Sequence, residues 1–150
     1  MRGQAVLKTS SSARGEAVGV IMDSNALFAP LQFKIDIHGE IERLLNRRFE
    51  LILLSSVRDE LEMLTSESPP KIRRTAAFAL EYAKKCRLVE VHSSAATVDD
   101  AIVETAAKCR TPVFTNDAQL RKRLRNISVP VIYVRQKSHL AIEGLIQSHV

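Results

Sequence analysis

Short apolar runs alternate with longer amphipathic stretches between Val18 and Val134. The runs contain few polar residues, which is typical of strands covered on both faces, and the stretches between them have helical spacing. The predicted strands are Val18 to Met22, Leu51 to Leu54, Leu88 to Val91, Pro112 to Phe114 and Val131 to Val134. The predicted helices are Ile35 to Leu45, Ser56 to Thr65, Ile72 to Lys85, Thr97 to Lys108 and Ala118 to Leu124.

This alternation predicts the α/β class, in which a five-stranded parallel sheet lies between two helical layers. Right-handed crossovers with one reversal after the third strand give the strand order 3-2-1-4-5. The prolines at 69 and 70 separate two consecutive helices, because the residue before a proline avoids the helical conformation. After the last strand, a short helix is predicted around Ile142 to Gln147.

The chain has 150 residues, a length typical of one domain, and residues 18–150 are assigned to it. Residues 1–17 contain Ser, Gly and basic residues without an apolar core, so they are interpreted as a flexible arm rather than a secretory signal. No apolar run approaches the roughly 20 residues needed to cross a bilayer. Cys86 and Cys109 suggest neither a disulfide framework nor a zinc motif, and a cytoplasmic protein without membrane contact is expected.

Four acidic residues stand where predicted strands end or helices begin. Asp23 follows the first strand, Asp117 follows the fourth, and Glu60 and Asp100 lie early in two helices. In a doubly wound sheet the ligand site lies beyond the carboxyl ends of the strands, at the reversal. Carboxylates that meet there repel one another unless a cation neutralises them. Mg²⁺ or Mn²⁺, which prefer oxygen ligands, would satisfy this requirement and suit phosphodiester hydrolysis.

Each acid also has a structural interpretation. Asp117 would be favoured in the first turn of any helix, Glu60 could be a solvated helix residue, and Asp23 could be a turn residue. Capping does not explain why all four fall at one end of the sheet, so their joint placement carries the metal-site hypothesis. Three pairs are similar to capping boxes: Thr97 with Asp100, Ser56 with Asp59, and Asn116 with Gln119.

The order and context of these acids resemble the PIN-domain family over about residues 18–134. The stretches that carry the resemblance are Asp99-Asp100-Ala-Ile-Val-Glu-Thr-Ala and Thr115-Asn116-Asp117-Ala-Gln-Leu-Arg-Lys-Arg-Leu. The resemblance implies a PIN-like fold and a Mg²⁺- or Mn²⁺-dependent endoribonuclease. It implies that the metal ligands and catalytic acids are Asp23, Glu60, Asp100 and Asp117. It also implies supporting roles for Asn25, Asp99, Thr115 and Asn116.

Within the family, the chain resembles the PIN endonucleases of small-subunit ribosome biogenesis more than the VapC-type toxins. This comparison depends on the basic stretch 121–125 and the apolar run Val129 to Val134. Gln119 departs from the ribosomal-processing members, which tend to carry a further Asp there. Three interpretations therefore stay open: ribosomal RNA processing, a toxin ribonuclease with an antitoxin partner, and a weakly catalytic RNA or ribosome-assembly scaffold. A homodimer is expected only by analogy with relatives.

Four basic residues lie on the helix that leaves the predicted acidic site: Arg121, Lys122, Arg123 and Arg125. A lone charge run is more often a solvated helix face. The neighbouring acids and a formal charge of +5 favour contact with RNA phosphates instead. The chain has few aromatic residues and no ladder of them for base stacking, so we expect structured or ribosomal RNA, recognised by shape and charge.

Overall fold

The computed structural model describes residues 17–91 and 97–146. The predicted flexible arm therefore lies outside the described residues, except for Ala17. Six strands form one sheet in the described part of the chain, in the order β3-β2-β1-β4-β5-β6. They are β1 (Val18–Met22), β2 (Phe49–Leu54), β3 (Arg87–Val89), β4 (Val113–Phe114), β5 (Val131–Arg135) and β6 (His139–Glu143).

The helices connect these strands and lie against the sheet. They are α1 (Ser24–Leu27), α2 (Ala29–Phe33), α3 (Ile37–Leu45), α4 (Ser55–Glu67), α5 (Pro70–Ala83), α6 (Val98–Cys109) and α7 (Ala118–Asn126). Helix α4 packs on α1, α5 and α6, while α6 also contacts α7. Helix α3 contacts β6, and α7 contacts β5. None of the helices in the described ranges is both long and apolar enough to span a membrane.

Strand β1 is central because it pairs in parallel with both β2 and β4. Its residue Ile21 lies opposite Ile52 on one side and Val113 on the other. All three side chains are fully buried, as expected of strands that helices cover. The predicted parallel order 3-2-1-4-5 is confirmed. The carboxyl ends of β1 and β4 therefore lie side by side, and this adjacency places the site.

The predicted helix around Ile142 to Gln147 is wrong, and the sheet has a sixth strand that the pattern did not predict. Residues His139–Glu143 form β6, which pairs antiparallel with β5, and Gln147 lies outside the described residues. The connecting turn has positive φ angles of 55° at Gln136 and 58° at Lys137. Residues with positive φ in a hairpin turn are usually Gly, Asn or Asp, and Asn-Gly or Asp-Gly is the common marker of such turns. Here the turn lacks that marker.

Helix α3 holds the outer edge of β6 through two side chains. The backbone N–H of Leu140 donates to Glu40 Oε1 at 3.0 Å, and Arg43 Nη2 donates to the Leu140 carbonyl at 2.8 Å. Arg43 also donates to Glu40 Oε1 at 2.9 Å, so the two side chains support each other. The antiparallel strand is thereby fixed to the body of the domain.

Most predicted helices are confirmed, with ends that move by a few residues. The prolines separate α4 from α5 as predicted, and Pro70 occupies the first turn of α5. The pattern missed the short helices α1 and α2, which hold only nine residues together and directly follow Asp23. Helices this short carry too little periodicity to be seen in a hydrophobic pattern.

Candidate active site

Asp23 lies at the carboxyl end of β1 with its side chain turned into the protein. The residue is 3% exposed, and its backbone N–H donates to the carbonyl of Phe114 in β4 at 3.0 Å. Its Oδ1 accepts the N–H of Ser24 at 2.8 Å and so caps α1. Burial is the largest cause that raises the pKa of Asp23 to about 6, because a charged carboxylate loses its hydration there.

A network of polar side chains joins the end of β1 to the end of β4. Thr115, which is fully buried, donates its hydroxyl to Asp23 Oδ2 at 2.7 Å. Asn25 donates from Nδ2 to the same oxygen at 3.1 Å and accepts the N–H of Asn116 at 2.9 Å through Oδ1. Asn116 Oδ1 in turn accepts the N–H of Val134 in β5 at 2.7 Å. Three adjacent strands are thus fixed relative to the Asp23 carboxylate.

Asp117 joins the same network through its backbone and caps α7 with its side chain. Its N–H donates to Thr115 Oγ1 at 3.1 Å, while its Oδ1 accepts the N–H groups of Gln119 at 2.9 Å and Leu120 at 3.3 Å. The helix begins at Ala118 with Asp117 as the N-cap, so the anticipated pairing of Asn116 with Gln119 is not the cap. The exposed Gln119 contributes its backbone to this cap.

The negative charges of Asp99 and Glu60 act on Asp23 as well. Both raise its pKa, although less than burial does, while the hydrogen bonds from Thr115 and Ser24 lower it. Glu60 lies in the second turn of α4, and Asp99 in the first turn of α6. The helices that follow β2 and β3 therefore direct carboxylates towards the residue that follows β1.

Asp99 and Asp100 are neighbours in sequence but have different surroundings. Burial raises the pKa of Asp99, with further increases from the charges of Asp117 and Asp100. Asp100 instead forms an ion pair with Arg123 at 2.9 Å, and this hydrogen bond is the largest cause that lowers its pKa. Thr97 caps α6 by accepting the N–H of Asp100 at 3.0 Å. The structure thus brings Asp99 towards the other acids and directs Asp100 to Arg123.

Apart from Asp100, which is paired with Arg123, the acids linked by these electrostatic effects are Asp23, Glu60, Asp99 and Asp117. Within residues 17–91 and 97–146, no group of three or more His, Cys, Asp or Glu side chains is close enough to surround a metal ion. Asp23 is held by Thr115 and Asn25 instead. The four acidic side chains are nevertheless all carboxylates, and their negative charges repel one another. Oxygen ligands of this kind fit a hard divalent cation.

The basic residues of α7 divide between two faces of the helix. Arg123 lies beside α6, where it pairs with Asp100. Arg121, Lys122 and Arg125 line a pocket between α7 and β6. The predicted basic cluster is therefore two separate surfaces, and only one of them presents several cations together.

The chain is similar to known proteins in sequence and in fold. A family described as a PIN like domain matches residues 20–137. The chain is 34% identical over 128 residues to ribonuclease VapC4 of Methanocaldococcus jannaschii, covering 85% of this chain and 98% of that protein. It is 28% identical over 125 residues to ribonuclease VapC9 of Archaeoglobus fulgidus, covering 83% of this chain and 89% of that protein.

A solved structure of the PIN domain endonuclease Utp24 superimposes with a TM-score of 0.72 at 26% identity. The match covers 88% of this chain and 96% of that structure. A mostly parallel sheet with acids at the reversal of its strand order defines a class of α/β proteins with a ligand site at that edge. The family match covers residues 20–137, which is well over half of the chain. The chain therefore belongs to the PIN-like domain family.

Sequence reasoning missed the different positions of Asp99 and Asp100 and gave Asn25 a role only by resemblance. The network of Asn25 depends on contact between residues about 90 positions apart in the chain, since it joins Asn25 to Thr115 and Asn116. For Asp99 and Asp100, the sequence offers one local indication. Thr97 can cap a helix, and a cap at that residue fixes where α6 begins and so where the two acids lie on it.

Proposed function

We propose that the chain is a divalent-metal-dependent endoribonuclease whose active site is formed by Asp23, Glu60, Asp99 and Asp117. The observation that carries this proposal is that four separate segments bring acids close enough to affect one another at one edge of the sheet. Beyond the effect of burial, the charges of Asp99 and Glu60 raise the pKa of Asp23, and the charge of Asp117 raises the pKa of Asp99. A protein seldom places several carboxylates together without a cation or proton to offset their repulsion. Membership of the PIN-like family and the ribonuclease names of two relatives support the same activity.

Mg²⁺ or Mn²⁺ would be held by these four acids, with Asp99 in place of Asp100. The preference for Asp99 follows from the ion pair between Asp100 and Arg123, which already neutralises the Asp100 carboxylate. When bound, the metal supplies an activated water and offsets the charge of the scissile phosphate.

The residues around Asp23 prepare it for this role. A pKa of about 6 means that the carboxyl group loses its proton near neutral pH, when it is needed as a charged ligand. Thr115 and Asn25 fix the direction of its Oδ2 by hydrogen bonds. We assign these two residues, together with Asn116, to positioning the acid rather than to contact with RNA.

Two biological settings suit this activity, and each has its own support. Processing of ribosomal RNA is our first assignment, supported by the resemblance of the basic stretch and the following strand to ribosome-biogenesis members of the family. A toxin with an antitoxin partner is the alternative, supported by two relatives that are named VapC ribonucleases. A scaffold with weak catalysis would retain RNA binding without cleavage.

Metal-dependent cleavage of RNA by the purified protein tests the activity. We expect cutting with Mn²⁺ or Mg²⁺, its loss in excess chelator, and its loss in Asp23→Asn, Asp117→Asn and Glu60→Gln. Glu62→Gln serves as a matched control, because Glu62 is exposed two residues further along the same helix. Undiminished cleavage in the three variants, or in chelator, would overturn the site.

The setting is tested separately, with the host's own precursor of ribosomal RNA as substrate. Mapped cuts at maturation boundaries, with co-purification of pre-ribosomal particles, would support RNA processing. A tightly bound small protein that suppresses cleavage would instead support the toxin. If the protein binds RNA but does not cleave it with either Mg²⁺ or Mn²⁺, the scaffold interpretation would be supported.

A further inference from the structure

The pocket between α7 and β6 lies directly beside the acidic site. Its volume is about 530 Å³, within the roughly 300–1,000 Å³ typical of small-ligand pockets. Ala118 is one of its lining residues and follows Asp117, the N-cap of α7, so the pocket adjoins the start of that helix. The other lining residues are Arg121, Lys122, Arg125, Glu143 and Gly144. Three cations thus face one carboxylate, which favours an anionic ligand.

Arg121 contacts both Tyr133 and Glu143 in this pocket. Its guanidinium carbon lies 4.1 Å from the centre of the Tyr133 ring, and its Nε lies 3.7 Å from Glu143 Oε1. The side chain remains 32% exposed and lines the pocket, so part of it is accessible to a ligand there. A planar cation fixed on an aromatic ring is a surface on which an unpaired nucleic-acid base can stack.

Arg125 and Lys122 provide charge beside this surface. Arg125 Nη1 donates to the Val129 carbonyl at 3.1 Å, which uses one of its five N–H groups. Gly144 has a φ of +93°, and a Cβ atom there would collide with the Arg125 guanidinium. Glycine thus leaves the space that the guanidinium occupies. Because a helix rises about 1.5 Å per residue, Asp117, Arg121 and Arg125 follow one another at intervals of about 6 Å.

We propose that this pocket binds one unpaired nucleotide of the RNA next to the scissile phosphate, with its base stacked on Arg121 and its flanking phosphates on Lys122 and Arg125. The inference deepens the proposed function, because it names single-stranded RNA as the substrate class at this position. A base in a duplex is stacked between its neighbours, so it would have to leave the stack before its face could contact the guanidinium. Glu143 can accept a hydrogen bond from an N–H of the base edge.

Binding of single-stranded RNA to full-length protein tests this inference. Each protein carries Asp23→Asn so that RNA stays intact, and fluorescence anisotropy measures the Kd. A series of oligonucleotides, each abasic at one position, locates the stacked base. We expect one abasic position to weaken binding about tenfold, as the loss of one stacked base does.

Arg121→Lys separates stacking from charge, since it keeps the cation and removes the plane. We expect it to bind intact RNA about tenfold more weakly and to show no further loss at the abasic position. Tyr133→Phe should behave as the parent protein, whereas Tyr133→Leu should resemble Arg121→Lys. Arg74→Lys is the charge-matched control, since it makes the same exchange at an exposed position of α5.

Several results would overturn the nucleotide pocket. One is an unchanged Kd in Arg121→Lys, or an abasic penalty that persists in this variant. Another is duplex RNA that binds as tightly as single strands with the same dependence on Arg121. Binding of an acidic peptide to the pocket, with RNA affinity insensitive to Arg121, would assign it to a protein partner instead.

Cleavage by the unmodified protein is measured in parallel, so that the two proposals can fail separately. Absent metal-dependent cleavage with the expected binding pattern would refute the nuclease and leave the nucleotide pocket. Cleavage without the Arg121 pattern would refute the pocket alone.

Discussion

Replacing Asp23 by Asn should change how the stability of the metal-free protein depends on pH. Burial, with the charges of Asp99 and Glu60, raises the pKa of Asp23 from an ordinary value of 3.8 to about 6. A raised carboxyl pKa means that the folded state disfavours the charged form. The protonated carboxyl of Asp23 therefore favours the folded state. This contribution to the free energy of unfolding is fully present below pH 3.8 and is lost as pH rises through about 6.

The size of this effect follows from the shift itself. A shift from 3.8 to about 6 corresponds to about 3 kcal/mol of folding free energy between acidic and neutral pH. The substitution also has a cost that does not titrate. Asp23 accepts hydrogen bonds from Ser24, Asn25 and Thr115, whereas an Asn side chain offers one oxygen and would set its NH₂ against a donor. That mismatch costs about 1–3 kcal/mol.

Urea denaturation of both proteins in chelator, at pH values between about 4 and 7.5, separates the two contributions. At the acidic end we expect Asp23→Asn to be less stable than the unmodified protein by the mismatch alone. As pH rises, the unmodified protein should lose about 3 kcal/mol of unfolding free energy that the variant does not lose, so the difference between them should shift by that amount in favour of the variant. Added Mn²⁺ should then stabilise the unmodified protein at neutral pH, and should not stabilise the variant.

A difference in unfolding free energy that stays constant across this pH range would refute the reasoning. It would mean that the Asp23 carboxylate is neither desolvated nor repelled by its neighbours in the folded protein. Asp36→Asn is a suitable comparison, since Asp36 is exposed and caps α3 by accepting the N–H of Gly39 at 3.1 Å. This variant measures the loss of a capping carboxylate at an exposed position, with which the result for Asp23 is compared.

Three further predictions concern the neighbouring residues. Asp99→Asn should lower kcat/KM for RNA cleavage with Mn²⁺ at least about 100-fold, whereas Asp100→Asn, which removes an ion pair, should lower it less than about tenfold. Asn25→Ala should reduce the free energy of unfolding by about 1–3 kcal/mol in urea, because the N–H of Asn116 loses its acceptor. Leu61→Ala should reduce it by about 2–5 kcal/mol by leaving a cavity in the core.

Each of these predictions has its own control and its own contrary result. Equal losses of activity in the Asp99 and Asp100 variants would remove the distinction drawn between the two residues. Asn126→Ala, at an exposed position, should leave stability unchanged, and a similar loss there would make the Asn25 result nonspecific. Leu145 is 87% exposed, so Leu145→Ala should have little effect, and a cost below about 1 kcal/mol for Leu61→Ala would contradict its burial in the core.

The five parallel strands could be predicted because each contains a short apolar run, and their order because right-handed crossovers with one reversal leave few alternatives. Strand β6 could not, since only Leu140 of its five residues is buried and the pattern therefore lacks a clear signal. Its turn adds no signal either, because Gln136 and Lys137 adopt positive φ angles without glycine or asparagine. Their strain must be offset by pairing of the two strands, which a local pattern cannot reveal.

The candidate site could be located from the sequence, but its members could not be chosen with the same precision. Successive residues of a helix point about 100° apart, because a turn contains 3.6 residues. Whether Asp99 or Asp100 faces the sheet is therefore decided by how α6 packs against α4 and α7. Arg123 shows this packing directly, since it meets Asp100 from the neighbouring helix.

The attachment of α3 to β6 has a consequence for self-association. An outermost strand normally offers unpaired backbone groups on which a strand from another molecule can add. In β6 the outward N–H and C=O of Leu140 are already bonded to Glu40 and Arg43. Any added strand would have to displace both bonds of a mutually supporting pair. Addition of a strand from another molecule is thereby opposed at Leu140, near the start of this edge strand.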